Sequence, residues 1–397
     1  MPFQSALLPM LGVLVLSLAT LVALQKRSGF GVLGAFFFLA LAPSSSVIPI
    51  VAQTVAEHRM YLSLAAVATG VMFVLHRIHR RLLAPAAIIA GALSIFATDA
   101  RCHDYRSSHA LALQTVAKRP MNSRAHYALG NAVMLDGNPA AAIPHFLRSL
   151  ELNPKRVLAY NNLALALLSQ GIVDEALRRY RQALQGDPRS ALVLNNLGNA
   201  LLAKGNLQDA IKSYERAVES RPDFADAHAN LGFALFNAQR PNQAVTHYLK
   251  AIEIDASHAG AHSNLGLALA SQDRMEEAIG HYRQALAANS ENADTLNNLG
   301  MALARTGKME KAIGHFRHSL ELRPTNLKAG NNLANALNAQ GRFNEAIEHY
   351  ENILKRNPDY VEAHGNLALA LAKRGRTQEA LAHYRKALEL KPDAAWL

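Results

Sequence analysis

The feature that most constrains this chain is a 34-residue repeat that starts at Ser123 and runs without insertion through eight units to Ala394. Every unit has Leu at its seventh place, Ala at its twentieth and Tyr or Phe at its twenty-fourth. A fixed period of this length indicates stacked units that bury their apolar faces only against their neighbours. The pattern therefore predicts a solenoid over residues 123–394, followed by a short tail at 395–397.

Each unit predicts a hairpin of two helices. Apolar residues three and four places from the seventh-place Leu form a stripe on the first helix. Gly or Ala at place 8 and Ala at place 20 let the two backbones approach closely, and the ring at place 24 fills the gap. Gly at place 15 in six units supplies a left-handed residue that ends the first helix, and Pro at place 32 in six units ends the second.

This pattern resembles the tetratricopeptide repeat (TPR), and the resemblance covers all 272 residues of the eight units. It implies an all-α fold in which eight repeats form a right-handed superhelix, an α-solenoid with an extended concave surface. Such a surface is expected to bind extended polypeptide segments or partner proteins.

Place 6 of the first helix is Asn in seven consecutive units. We expect this column to line the concave groove, where primary amides can donate to and accept from an extended peptide backbone. The column resembles the Asn ladder of the O-linked N-acetylglucosamine transferase superhelix, which holds substrate polypeptide. A second interpretation stays open, in which the amides satisfy backbone groups or bridge neighbouring repeats. The column consists of Asn162, Asn196, Asn230, Asn264, Asn298, Asn332 and Asn366.

Histidine recurs at place 23 of the second helix, which suggests a column for metal or protons. Helices of neighbouring units pack about 8–10 Å apart, too far to share one ion, so we expect a solvated outer stripe. The pairs His258/His262 and His315/His318 have helical ligand spacing but no acidic or thiol neighbour that completes a metal site. No phosphate-binding glycine loop or nucleophile with a recognisable base is found, so we predict no metal, cofactor or catalytic residue. The place-23 residues are His145, His247, His281, His315, His349 and His383.

The first third of the chain is predicted to lie in a membrane. Residues 6–24 carry no charge and are long enough to cross a hydrocarbon core of about 30 Å. Three further apolar runs follow, of which the second is short, so about four transmembrane helices are expected within residues 1–99. A linker helix is expected over 100–122. The four predicted spans are 6–24, 30–42, 60–75 and 82–98.

The charges of the short loops predict the topology. Lys26 and Arg27 follow the first span, and residues 76–81 hold three Arg, so both connections are expected to be cytoplasmic. The repeats would then be extracytoplasmic, which means periplasmic or lumenal. The protein is expected to be an integral protein of the bacterial inner membrane. Residues 1–122 hold 10 of the 41 Lys and Arg but only 3 of the 30 Asp and Glu. Because the excess positive charge lies at these flanks, we expect no nucleic-acid binding.

The order of the segments is similar to the C-terminal half of the transmembrane-and-TPR protein O-mannosyltransferases and their bacterial relatives, in the GT-C superfamily. The motifs that carry this resemblance are residues 43–46 (PSSS), 48–49 (IP), 57–59 (EHR), 61–62 (YL) and the approach to the first repeat over 101–122. The resemblance implies an enzyme or enzyme subunit that uses a polyprenyl-phosphate sugar.

In that resemblance, Glu57, His58 and Arg59 would contact the phosphate of the lipid carrier, although a local ion pair that anchors the loop stays an open alternative. The family holds its catalytic acids in the first extracytoplasmic loop. Here the acids before the repeats are Glu57, Asp99 and Asp104, and none is paired. We therefore expect a membrane-anchored binding protein that does not transfer sugar by itself, or else the C-terminal part or a subunit of a longer glycosyltransferase.

Overall fold

The computed structural model describes residues 108–393 together with Val22. The boundary between the two units of the chain falls between Arg106 and Ser107, and the account below concerns the second unit. Apart from Val22, the predicted spans lie outside the described residues, as do Glu57, His58, Arg59 and the tail at 395–397. Of the helices that the structure describes, none combines the length and apolar character needed to cross a bilayer.

Residues 108–393 form seventeen α-helices and no strand, so the predicted all-α solenoid is confirmed for this part of the chain. Helix α1 (Ser108–Lys118) precedes the first repeat and packs on α2. The first helices of the eight repeats are α2 (Ser123–Leu135), α4 (Val157–Ser169), α6 (Ala191–Ala203), α8 (Ala225–Asn237), α10 (Ala259–Ser271), α12 (Ala293–Arg305), α14 (Leu327–Ala339) and α16 (Val361–Lys373). The second helices are α3 (Pro139–Leu152), α5 (Val173–Gly186), α7 (Leu207–Ser220), α9 (Pro241–Ile254), α11 (Met275–Ala288), α13 (Met309–Leu322), α15 (Phe343–Arg356) and α17 (Thr377–Leu390).

The turn inside each hairpin keeps one backbone shape in all eight repeats. Gly205, for example, has φ 83°, in the left-handed region that glycine adopts without strain. In repeats 4 and 5 the same place is held by Gln239 and Asp273, which adopt φ 60° and 64°. A left-handed conformation costs about 1–2 kcal/mol in a residue with a Cβ atom. Packing of the flanking helices therefore imposes the turn even where the sequence does not favour it.

The core runs through the stacked hairpins along the places that the repeat pattern marks. The ring of Tyr214 is fully buried and lies against Gly198, where a Cβ atom would come within 2.4 Å of ring carbon Cε1. Glycine at place 8 is thus a requirement of close packing between the two helices of repeat 3. First helices of successive repeats also contact each other, so their exposed sides form one continuous face.

Candidate functional site

The predicted Asn column lies on the first helices, and five of its seven members form hydrogen bonds to the preceding repeat. Asn196 is buried and the other six are half-buried. In each of the five, Nδ2 donates to the residue at place 5 of the repeat before, 35 residues earlier. These bonds are Asn162 to Tyr127 Oη (3.2 Å), Asn196 to Asn161 Oδ1 (3.0 Å), Asn230 to Asn195 Oδ1 (2.9 Å), Asn332 to Asn297 Oδ1 (2.9 Å) and Asn366 to Asn331 Oδ1 (3.2 Å).

The amides of repeats 1 to 3 form a connected network. Asn196 donates to Asn161, which donates to Asn162 Oδ1 at 2.9 Å, and Asn162 also donates to Asn131 Oδ1 at 2.7 Å. Asn161 is only 1% exposed. Because a buried amide is costly unless its polar atoms are paired, these residues hold neighbouring repeats in register. The bridging interpretation of the column is correct for these members, and peptide binding by the column stays a prediction.

The ladder is interrupted in repeats 5 and 6. Asn264 and Asn298 face Ala229 and Ser263 at place 5 of the preceding repeats, and the Ser263 hydroxyl pairs instead with Thr295 at 2.8 Å. Among the residues that the structure describes, the Asn264 side chain forms no hydrogen bond, and Asn298 only accepts one, at 3.5 Å from Asn297. Both amides are half-buried, so their Nδ2 donors are available on the exposed side of the first helices.

Apolar side chains are exposed beside these two amides. Place 9 lies three residues beyond place 6 on the same helix face, and it holds Phe233, Leu267 and Met301 in repeats 4 to 6. These side chains are 44%, 37% and 39% exposed. We call the group of Phe233, Asn264, Leu267, Asn298 and Met301 the groove centre. Exposed apolar side chains that recur at one place on successive helices are typical of an interaction site.

Place 9 has another role where it is Asn. Asn131 accepts from Asn162 in the network described above, and Asn199 accepts from Tyr214 Oη at 2.7 Å. Asn335 accepts from Tyr350 Oη in the same way. Repeats 4 to 6 thus differ from repeats 1, 3 and 7 at place 9, where an apolar side chain replaces the amide. The sequence contains this signal, but the column of place-6 Asn residues alone does not reveal it.

Charges at the border of the groove centre are paired with each other. Asp226 lies 3.2 Å from His258 Nε2, and Asp294 lies 2.9 Å from Arg323. Exposed pairs of this kind add little stability. The groove centre itself contains no ionisable side chain. The arrangement favours a ligand with apolar side chains and an available backbone over a strongly charged one.

The histidines of place 23 are not the solvated outer stripe that we expected, because all six are half-buried. In repeats 4, 5 and 8 the place-23 ring lies within hydrogen-bond distance of a histidine at place 4 of the first helix. In repeat 1 the rings of His126 and His145 also face each other, with centroids 6.1 Å apart but no hydrogen bond between them. The signal that the sequence offered was the joint occurrence of His at places 4 and 23. No set of three or more candidate metal ligands occurs within the described part of the chain.

The two histidine pairs with helical spacing separate in the structure. His258 caps the start of α10, with Nδ1 accepting from the Ala261 amide, whereas His262 contacts His281 of the second helix. His315 is half-buried and His318 is exposed. Neither pair therefore forms a joint ligand site.

Comparisons with known proteins agree with the repeat architecture. A family model described as the C-terminal domain of cilia and flagella-associated protein 70 matches residues 155–359, more than half of the chain. A tetratricopeptide repeat model matches residues 103–157 and 331–395. No curated protein matches the chain. The resemblance to O-mannosyltransferases stays a hypothesis, because neither family model concerns that family.

Among solved structures, a chain of the APC/C hetero-tetramer Cut9-Hcn1 is 17% identical to this chain, with a TM-score of 0.53. The match covers 70% of this chain and 54% of that chain. This chain thus spans about half the length of that relative. YrrB, described as a TPR protein with an unusual peptide-binding site, is 24% identical over 46% of this chain and 95% of its own, with a TM-score of 0.39. PilF of Pseudomonas aeruginosa is 22% identical over 52% and 94%, with a TM-score of 0.49. From the family models and the helical hairpins together, the chain belongs to the tetratricopeptide-repeat family.

Proposed function

We propose that this protein is a membrane-anchored TPR protein that binds an extended segment of a partner polypeptide along its first-helix face, centred on repeats 4 to 6. The observation that carries this proposal is the groove centre. There, two half-buried amides have free donors beside three exposed apolar side chains, in the stretch where the inter-repeat ladder is interrupted.

Each part of the groove centre has a chemical role in this proposal. Asn264 and Asn298 can donate to backbone carbonyls and accept from backbone N–H groups of an extended segment, whatever its side chains. Phe233, Leu267 and Met301 would bury apolar side chains of the segment, at about 25 cal/mol per Å² of apolar surface removed from water. The bridged amides on either side hold the first helices in register, which lowers the entropy cost of binding.

A selected peptide tests this proposal. The probe is a fluorescent peptide of about 12 residues, long enough to span three repeats spaced about 10 Å apart, selected from a random library on the wild-type chain. Replacing Phe233, Leu267 and Met301 together by Ala should weaken its binding at least tenfold, because apolar anchors carry most of such affinity. The double variant Asn264→Ala/Asn298→Ala should weaken it about thirtyfold, since each of the two hydrogen bonds contributes about 1 kcal/mol.

A matched control comes from the second helices. Leu147 and Leu249 are also exposed, but they lie on α3 and α9 and not on the first-helix face. The variant Leu147→Ala/Leu249→Ala should leave the affinity unchanged. Unchanged affinity in both groove-centre variants would refute the proposed site.

The membrane anchor and the extracytoplasmic location of the repeats are part of the proposal, supported by the apolar runs and the basic flanks of residues 1–99. The test replaces Cys102 by Ser and adds single cysteines at Ser45 and Asn206, of which Asn206 is exposed just before α7. Both positions should react with an impermeant thiol reagent in intact cells. Protection of position 206 until the cells are opened would place the repeats in the cytoplasm and refute the location.

The second candidate function is a subunit or C-terminal part of a polyprenyl-phosphate-sugar-dependent protein O-glycosyltransferase. It is favoured by the segment from 43 to 62, including Glu57, His58 and Arg59, which lies outside the described residues. This candidate is tested by reading the DNA that adjoins the first codon. Apolar spans with an acidic pair in their first loop, encoded in frame or in a neighbouring gene, would support this candidate, and an unrelated neighbour would oppose it.

A further inference from the structure

Three repeats contain a pair of histidine rings that meet edge to edge at one atom each. Nδ1 of the place-4 ring lies 3.1 Å from Nδ1 of the place-23 ring in His228/His247 and His262/His281, and 2.9 Å in His364/His383. The ring centroids are 5.4, 5.3 and 5.1 Å apart. Because these separations approach the Nδ1–Nδ1 distance plus two ring radii, the two nitrogens of each pair point at each other within hydrogen-bond distance.

Backbone carbonyls determine which nitrogen of each place-4 ring carries the hydrogen. Nε2 of His228 lies 3.1 Å from the Pro222 carbonyl, and Nε2 of His262 lies 3.2 Å from the Ala256 carbonyl. A carbonyl only accepts, so each Nε2 carries a hydrogen and the neutral ring has its lone pair at Nδ1. The place-23 ring must then donate from its own Nδ1. Each pair thereby joins the first helix, the second helix and the turn that arrives from the preceding repeat.

We propose that these paired histidines make repeats 4 and 5 an acid-sensitive segment of the solenoid, which loosens when both rings of a pair become positively charged. The first added proton binds at Nε2 of the place-23 ring and leaves the bond between the two Nδ1 atoms in place. The second added proton binds at Nδ1 of the place-4 ring, so both facing nitrogens carry hydrogens, the hydrogen bond is lost and two positive charges meet at contact distance. Repeats 4 and 5 are adjacent, and their helices α8 to α11 would respond together.

The charged side chains around each histidine pair are already paired, so they do not compensate a second positive charge on the rings. Around the pair of repeat 4, Lys250 and Glu253 neutralise each other at 2.9 Å. Around the pair of repeat 5, Arg274 and Glu277 do the same at 2.7 Å, and the exposed Asp255 is bonded to Ser257. Burial, and then the neighbouring ring, lower the pKa of His247 and of His281, and burial lowers that of His228.

The sign of the pH effect follows from this direction. A histidine whose pKa is lowered by folding binds fewer protons in the folded state than in the unfolded state as the pH falls below its ordinary value of about 6.5. The stabilisation is therefore complete above that pH and is lost as the pH falls through it. In repeat 8, burial and then the His364 ring lower the pKa of His383, but the carboxylates of Glu351 and Glu379 oppose this shift, so we expect a weaker response there.

The chain offers internal controls. His315 and His349 occupy place 23 in repeats 6 and 7, where place 4 is Leu296 or Gly330 and no pair forms. Repeats 2 and 3 have neither histidine. If the proposed function holds, acid would also weaken peptide binding, because α8 and α10 carry Phe233, Asn264 and Leu267; the loosening itself does not depend on that function.

Hydrogen exchange of the full chain at pH 7.5 and 5.0 tests the inference, with a chelator present and intrinsic rates corrected. We expect opening of α8 to α11 to rise at pH 5.0 by about fivefold for each pair lost, relative to α4 to α7 in repeats 2 and 3. The variant His247→Asn/His281→Asn keeps an N–H donor near the Nδ1 position but does not titrate there, so this excess should disappear. Equal acid responses in both regions would overturn the inference.

A second measurement does not depend on any variant. In the ¹⁵N spectrum of the wild-type chain at pH 7.5, His228 and His262 should be neutral with the hydrogen on Nε2. Hydrogen on Nδ1 of these two rings would overturn the inference. Because neither experiment uses a peptide, failure of the proposed binding function would be seen separately.

Discussion

Replacement of Asn196 by Ala is expected to destabilise repeats 2 and 3 through the bond that it removes. Asn196 is 9% exposed and is the donor to Oδ1 of Asn161, which is 1% exposed. Without that donor the Asn161 oxygen is buried and unpaired, which costs about 1–3 kcal/mol. The substitution also gains up to about 0.7 kcal/mol of helix propensity. The net loss should be about 1.5 kcal/mol.

Asn264 provides the matched control, because it occupies the same place on α10 and its side chain forms no hydrogen bond with a described residue. Asn264→Ala gains the same propensity and loses no bond, so the two variants should differ by about 2 kcal/mol. Urea unfolding followed by circular dichroism measures both changes, and hydrogen exchange in α4 and α6 locates the first. Equal effects of the two substitutions would refute a structural role for the bridged amides.

Three further predictions concern the backbone of the repeats. Gln239→Gly should stabilise the chain by about 1 kcal/mol, because glycine adopts φ 60° without strain. Gly205→Gln should destabilise the chain by a similar amount. The urea midpoints of the two variants measure both changes. Gly198→Val should cost about 2 kcal/mol, because its side chain meets the Tyr214 ring, and the loss of melting temperature measures this. Gly280→Ala, at a helical glycine with open space, should instead stabilise by about 1 kcal/mol in the same assay.

The hairpins could be predicted from the sequence because the same few places recur at each unit and each has a single packing role. The ring of Tyr214 against Gly198 is the structural form of the pairing between places 24 and 8. The turns at Gln239 and Asp273 could not be predicted from residue preference, since the flanking helices impose a left-handed conformation that neither side chain favours.

The partners of the Asn column could not be predicted from its spacing. The bond from Asn230 to Asn195 joins place 6 to place 5 of the preceding repeat, and that register depends on how the first helices pack. The interruption at Asn264 follows from Ala229 at place 5, a residue that carries no polar signal of its own.

The place-23 histidines were assigned to the wrong environment for a similar reason. Spacing along one helix does not show which side meets the other helix of the hairpin. His247 lies against His228, nineteen residues earlier, and only the joint occurrence of the two places marks the contact.

The measurement that tests the central claim most directly is a photo-crosslink from the groove centre to the selected peptide. A benzophenone amino acid replaces Leu267 on α10 in one variant and Leu249 on α9 in another. We predict that the peptide crosslinks efficiently from position 267 and not from position 249. A crosslink from position 249 alone, or none from position 267 while the peptide is bound, would contradict binding along the first-helix face.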